Sequence, residues 1–307
     1  MLSASYALLV LLGAIWGASF LLIKIGTTEI APMTFAFLRI VTGAFTTGIV
    51  LAITRHRVPR GARLWGHLAV MGLLGIGFPF AAISWGTQYI PSSLSAILNG
   101  MMPIFTFLVV VIQHGERAPL KRFIGVALGF AGTVILVLPQ MQGSEGQVGL
   151  YGALAVIAAA LSYALAAVYA SRHVSHLPPQ VASFGQLLAA SLILLPVAIV
   201  EPSWRTAVTV RSISAVLFLG VVGTSLAYLI YYRLIHDAGA TFTSLVTYIS
   251  PPFGVFWGWL ILSEAITLNV LLALGLITCG LLLVRAAPRN SELALPQPVK
   301  EPSAGGA

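Results

Sequence analysis

The sequence predicts an all-α integral membrane protein with ten transmembrane helices, arranged as two inverted five-helix repeats. Three observations predict it: a shortage of charge, apolar runs of bilayer length, and self-similarity at a fixed shift. Hydrophobic residues make up 58% of the 307 positions and charged residues 8%, with a mean hydropathy of +0.98. A soluble domain carries roughly 25% charged residues to solvate its surface, so most of this chain has to face lipid. Backbone polar groups in lipid must be satisfied internally, which leaves helices or a closed barrel. The apolar runs are near 20 residues long and lack period-two alternation, which selects helices.

The ten spans fall at 6–25, 32–53, 64–86, 92–113, 121–138, 148–170, 179–200, 211–233, 240–262 and 268–285. Turn chemistry separates them, as at Ala31-Pro32, Ile90-Pro91-Ser92-Ser93, Pro139-Gln140, Pro178-Pro179 and Asp237-Ala238-Gly239. The first half occupies residues 1–140 and the second 148–286. The remainder, 287–307, is rich in Pro, Ser, Ala and Gly and reads as a disordered cytoplasmic tail.

The formal charge of +8 reports topology here rather than an affinity for nucleic acid. With the N-terminus inside, twelve Lys and Arg residues flank the spans on the cytoplasmic side and three (Lys24, Arg205, Arg211) on the other. The sixteenth, Arg39, lies within a span. That bias predicts a multi-pass protein of the inner (plasma) membrane with both termini cytoplasmic. The first apolar run lacks a basic leader and reads as the first helix rather than a cleaved signal.

The repeat is the most informative feature. At a shift of 148 residues, Gly72 falls on Gly220, Gly75 on Gly223, Pro103 on Pro251, Glu116 on Glu264 and Gly132 on Gly280. Near the start of each half the shift is 147, pairing Trp16 with Tyr163, Pro32 with Pro179 and Arg39 with Gln186. Five helices per half is an odd number, so the second half enters the membrane from the opposite side. Inverted repeats of this kind place a binding site near the midplane between the halves.

The first half carries Trp16-Gly17-Ala18-Ser19-Phe20, then Lys24, Pro32, Leu38-Arg39, Pro103 and His114-Gly115-Glu116-Arg117, followed by Gly125, Gly129 and Gly132. The second half repeats this more weakly, with Ser162-Tyr163 and Leu262-Ser263-Glu264. In this order the residues resemble the EamA-type transporters of the drug/metabolite transporter superfamily, over roughly residues 6 to 286. The resemblance implies a ten-helix carrier, usually an exporter of amino acids, related metabolites or drugs.

Candidate site residues follow from polar or aromatic groups at mid-span. Pro103 and Pro251 are expected to break their helices, freeing the carbonyls of Asn99 and Thr247 four residues back, and such carbonyls are tolerated where they line a cavity. Asn99 and Thr247 are therefore candidate polar contacts, with Tyr248 beside them. Trp16, Tyr163, Phe80 and Tyr228 are expected to wall an apolar or zwitterionic ligand. Packing kinks and plain helix packing are the alternatives. Trp65, Trp257 and Trp259, nearer span ends, read as interface-belt residues. Glu116 and Glu264, ahead of helices, read as structural partners of helix N-termini. His67, His114, His173 and His236 read as solvated. Arg39 reads chiefly as an anchor bonded to helix carbonyls or reaching the outer surface, with attraction of a substrate carboxylate as the alternative.

The sequence contains no His-Glu-x-x-His, Gly-x-Ser-x-Gly or glycine-rich phosphate loop. One cysteine, Cys279, can form no internal disulfide. No catalytic residue, metal or cofactor is expected. The expected partners are a small-molecule substrate and the lipid bilayer, with a homodimer allowed. The expected function is secondary export of small metabolites such as amino acids or related amphipathic compounds. The alternatives are a membrane enzyme acting on lipid head groups, and an uptake carrier of the same fold for a vitamin or organic anion.

Overall fold

A computed structural model of the chain describes residues 2–55, 61–114, 119–141, 146–201 and 207–286. Glu116, Arg117 and the tail from 287 lie outside them. The described residues contain helices and no β-strand. In chain order the α-helices are α1 (Leu2–Gly26), α2 (Pro32–Ile53), α3 (Ala62–Gly72), α4 (Phe78–Gly86), α5 (Ser92–Asn99), α6 (Met102–His114), α7 (Leu120–Val137), α8 (Gly146–His173), α9 (Pro179–Val200), α10 (Val210–Gly220), α11 (Ala227–Thr243), α12 (Val246–Leu262) and α13 (Leu268–Ala286). A π-helical turn, Leu73–Gly77, joins α3 to α4, and a second, Val221–Leu226, joins α10 to α11.

Eight helical segments among the described residues are long and apolar enough to cross a bilayer, from Ala4–Gly26 through Val210–Tyr231. Val246–Leu262 and Leu268–Val284 are shorter apolar helices. The large apolar side chains that stay exposed, such as Phe45, Ile112, Val200 and Leu268, are the surface expected of helices in hydrocarbon. The protein is a multi-pass membrane protein.

Packing repeatedly joins an early helix to a late one: α1 with α12, α2 with α9, α4 with α8, α5 with α12 and α7 with α13. Lipid gives helices no hydrophobic reason to associate, so close van der Waals packing through small residues drives them together. Gly125 on α7 and Gly280 on α13 meet backbone to backbone, and a methyl group on either would strike the other's carbonyl oxygen. Gly132 continues the seam, with its α-carbon facing the Ala273 carbonyl.

Helix breaks differ from expectation in one half. In the fourth span the chain leaves the helix at Gly100–Met101, between α5 and α6, and Pro103 is the second residue of α6. That is where a residue without an N–H is tolerated. Pro251, by contrast, does not break its helix: α12 runs through Pro251 and Pro252, and the chain breaks earlier, at Ser244–Leu245. The expected turn at Asp237-Ala238-Gly239 is also absent, because α11 continues to Thr243. An ion pair between Arg233 and Asp237, four residues apart on α11, supports that extension. A proline deprives one carbonyl of its bond, and close packing on α5, where Gly100 abuts the Pro251 ring, holds the axis of α12. At its far end α12 stops at Ser263, in the left-handed region at φ 55°, with the Glu264 amide donating back to the Gly258 carbonyl at 3.2 Å.

Candidate functional site

The two π-turns start 148 residues apart, at Leu73 and Val221. A π-turn inserts one residue, re-aims the side chains after it and leaves backbone carbonyls to be satisfied elsewhere. Ser162 on α8 donates to the Leu74 carbonyl at 2.8 Å. The Thr224 hydroxyl, inside the second turn, donates to the Leu219 carbonyl at 2.8 Å. Phe80 and Tyr228 follow the respective turns and point into one region.

Arg39 on α2 occupies the centre of that region. Its guanidinium carbon lies 3.9 Å from the centroid of the Phe80 ring, and its Nε donates to the Thr224 hydroxyl at 3.4 Å. Tyr163 on α8 and Tyr228 on α11 are its electrostatic neighbours. Both pack, with Phe80, around a cluster containing Ile40, Ile76 and Leu187. Trp16 on α1 extends the wall, edge-on to Tyr228 at 6.4 Å between centroids and 5.7 Å from Tyr231. Phe80, Tyr163 and Tyr228, singled out in the sequence, thus come together around one cation, with Trp16 behind Tyr228. Close approach makes this geometry available: Gly220 lies against Thr42 and the Arg39 backbone, and Gly72 against the backbone of Gln186 and Ala190.

The polar candidates lie in a second grouping. Asn99 ends α5, beside the point where Gly100 meets Pro251. Its Oδ1 is buried with no hydrogen-bond partner among the described residues, so it makes no bond to a neighbouring helix through that atom. The Thr247 hydroxyl donates to the Ser244 carbonyl at 2.8 Å, and the Tyr248 hydroxyl to the Leu281 carbonyl on α13 at 3.0 Å. Both hydroxyls are therefore engaged in holding α12 in place. Thr224 and Tyr231 had not been singled out in the sequence. Thr224's signal is a hydroxyl inside an apolar run, one residue after the π-turn glycine Gly223, a pattern so common that only its neighbour Arg39 identifies it.

Three carboxylates sit away from this centre, each binding the N-terminal turn of a distant helix. Glu264 accepts from the amides of Ser92 and Ser93 at 2.7 and 2.9 Å and from the Ser92 hydroxyl at 2.9 Å. Glu201 accepts from the Thr34 amide at 2.9 Å, and Glu29 from the Thr209 amide at 2.8 Å. Glu264 thus serves α5 rather than the helix that follows it. Lys24 donates to the Ile90 carbonyl at 2.7 Å beside the same junction.

Two surface expectations change. Trp257 is not a belt residue: its indole donates to the Ala14 carbonyl at 3.2 Å and ties α12 to α1. His67 and His173 are not simply solvated: Nδ1 of His67 lies 2.7 Å from the Tyr169 hydroxyl, and the two imidazoles stand 4.7 Å apart between α3 and α8. Their aromatic faces pack where α3 crosses α8. The side chains of His114 and His236 lie outside the described residues. No cluster of His, Cys, Asp or Glu that could hold a metal occurs among the described residues. A cleft of about 620 Å³ between α2 and α10, lined by Ile30, Leu38, Val216 and Leu217, is apolar and separate from the Arg39 centre.

Helices of bilayer length around a buried cation and an aromatic wall define a polytopic membrane protein of the transporter class. The EamA-like transporter family model matches residues 4–138 and again 150–286. The chain belongs to that family, and is a transporter rather than an enzyme. Similar proteins include the uncharacterized transporter YoaV of Bacillus subtilis, 26% identical over 87% of this chain and 91% of that one. The uncharacterized inner membrane transporter YedA of Escherichia coli is 25% identical over 88% and 87%. A probable amino-acid metabolite efflux pump of Escherichia coli is 27% identical over 89% and 92%. A protein of known crystal structure shares the fold, with a TM-score of 0.64 at 21% identity, covering 92% of this chain and 97% of that one.

Proposed function

We propose that the protein is a secondary carrier exporting small metabolites, amino-acid-like or amphipathic, from the cytoplasm. The observation that carries this reading is the aromatic wall of Trp16, Phe80, Tyr163 and Tyr228, drawn from α1, α4, α8 and α11. A wall assembled from both halves of the chain changes shape when the halves move against each other, which is what alternating access requires. The reading takes the ten apolar segments as ten spans in two inverted five-helix repeats, in the inner membrane with both termini cytoplasmic. Support comes from the π-turns 148 residues apart, from the twofold match of one family model, and from the excess of Lys and Arg on one side. The efflux pump among the relatives favours export over uptake.

Metabolite profiling of growth medium tests the proposal. Cells overproducing the protein should enrich a small set of amphipathic metabolites outside, and a deletion strain should retain them. Unchanged medium in both strains, or depletion of a metabolite from the medium on overproduction, would defeat export.

A further inference from the structure

Among the described residues, Arg39 has no neighbouring carboxylate. The residue is 6% exposed and sits eight positions into α2. A guanidinium carries five N–H donors, yet its hydrogen-bond partner among the described residues is one hydroxyl, Thr224, at the long distance of 3.4 Å. It does not reach the outer surface, and among the described residues no helix carbonyl receives it. The carboxylates among the described residues are committed elsewhere: Glu29, Glu201 and Glu264 to helix N-termini and Asp237 to Arg233. A charge withdrawn from water is held where it is paired, and the ring face of Phe80 offsets only part of that requirement.

We infer that Arg39 binds a carboxylate carried by the substrate, so that the cargo is a monocarboxylate, zwitterionic or singly anionic, with its apolar part against Trp16 and Tyr228. This rests on the carrier reading above. The single charge argues against a phosphate dianion, which calls for several cations. Lys24 is spent on the Ile90 and Gln88 carbonyls, and Gln186, at the matching place in the second half, is uncharged. A permanently cationic cargo would meet repulsion. Planar, two-pronged donation from a guanidinium to a carboxylate supplies both attraction and orientation.

The test uses the full-length protein and the probe pair phenylacetate and phenylacetamide, which differ in charge and little in shape. Equilibrium dialysis measures binding to purified protein, and flux into liposomes containing it measures transport. Wild type should bind the acid about 10- to 100-fold more tightly than the amide, the range expected for hydrogen bonds to a charged group. Arg39→Gln should lose that preference, and Arg39→Lys should keep part of it. Equal binding of acid and amide by wild type overturns the inference, and so does a preference that survives in folded Arg39→Gln. Acid preference without flux of either probe supports the Arg39 site and counts against the carrier reading; flux without acid preference does the reverse. If Arg39→Gln fails to fold, the wild-type preference and its reduction in Arg39→Lys decide the matter.

Discussion

The Glu264 carboxylate and the Ser92 amide lie 2.7 Å apart across 172 residues of sequence. Pro91, at the N-cap of α5, supplies no side-chain acceptor. The first amides of that helix would be left without a partner, and Glu264 takes two of them. A negative group there also meets the positive end of the helix. Glu264→Gln should destabilise the protein by about 1–2 kcal/mol, the usual cost of a lost cap. Thermal unfolding in detergent reads this, and an unchanged midpoint would show that the cap contributes nothing.

Glu29 offers a pH-dependent counterpart. The hydrogen bond from the Thr209 amide, with the Thr209 hydroxyl donating beside it, holds its carboxyl below the usual value of 4.5. A depressed folded-state pKa means stabilisation that is present above the unfolded value and lost as pH falls through the folded one. Wild type should therefore exceed Glu29→Gln in stability at pH 7, with the gap closing below pH 4.5. Thermal unfolding of both proteins across that range checks it, and a gap that widens on acidification would reverse the assignment.

The α7–α13 seam predicts a sharp contrast between two glycines on one helix. Gly280 faces the Gly125 backbone, whereas a methyl group at Gly275 would meet nothing within 4 Å. Gly280→Leu should cost about 1–3 kcal/mol through overpacking and lower the amount of folded protein. Gly275→Ala should be neutral. Size-exclusion profiles of the two variants separate these outcomes, and matching behaviour would mean that the seam is not tightly packed.

Orientation gives a prediction on whole cells. A reporter active only outside the cytoplasm should work after Pro139 and fail at Ala307, and a cytoplasmic reporter should do the opposite. A tail that reports from outside would overturn the reading of the Lys and Arg bias.

Solvent reach of the second grouping can be checked with thiol chemistry. Asn99→Cys in a Cys279→Ser background should react with a small membrane-impermeant reagent, because Asn99 ends a helix at a break and its Oδ1 lacks a protein partner among the described residues. Thr247→Cys should react more slowly, since the native hydroxyl turns back onto the Ser244 carbonyl. Full protection of Asn99→Cys from both sides of the membrane would place it within packed protein.

The sequence by itself determined the membrane class, the approximate limits of the eight bilayer-length helical segments, the break near Pro103 and the aromatic residues worth watching. These depend on hydropathy, on the missing N–H of proline and on spacing, all of which are local or periodic. Tertiary structure decided which of those residues meet. It brought Phe80, Tyr163 and Tyr228 to Arg39, set Trp16 against Tyr228, and turned the hydroxyls of Thr247 and Tyr248 to backbone carbonyls. It also carried α11 through Asp237, moved the ninth-span break ahead of Pro251, and gave Glu264 to α5. Each of those outcomes depends on contacts between segments far apart in the chain, where a donor finds its acceptor only after the helices have packed. Arg39 shows the difference most plainly: its position within an apolar span was readable from sequence, but that no carboxylate among the described residues neighbours it became visible only once its surroundings were assembled.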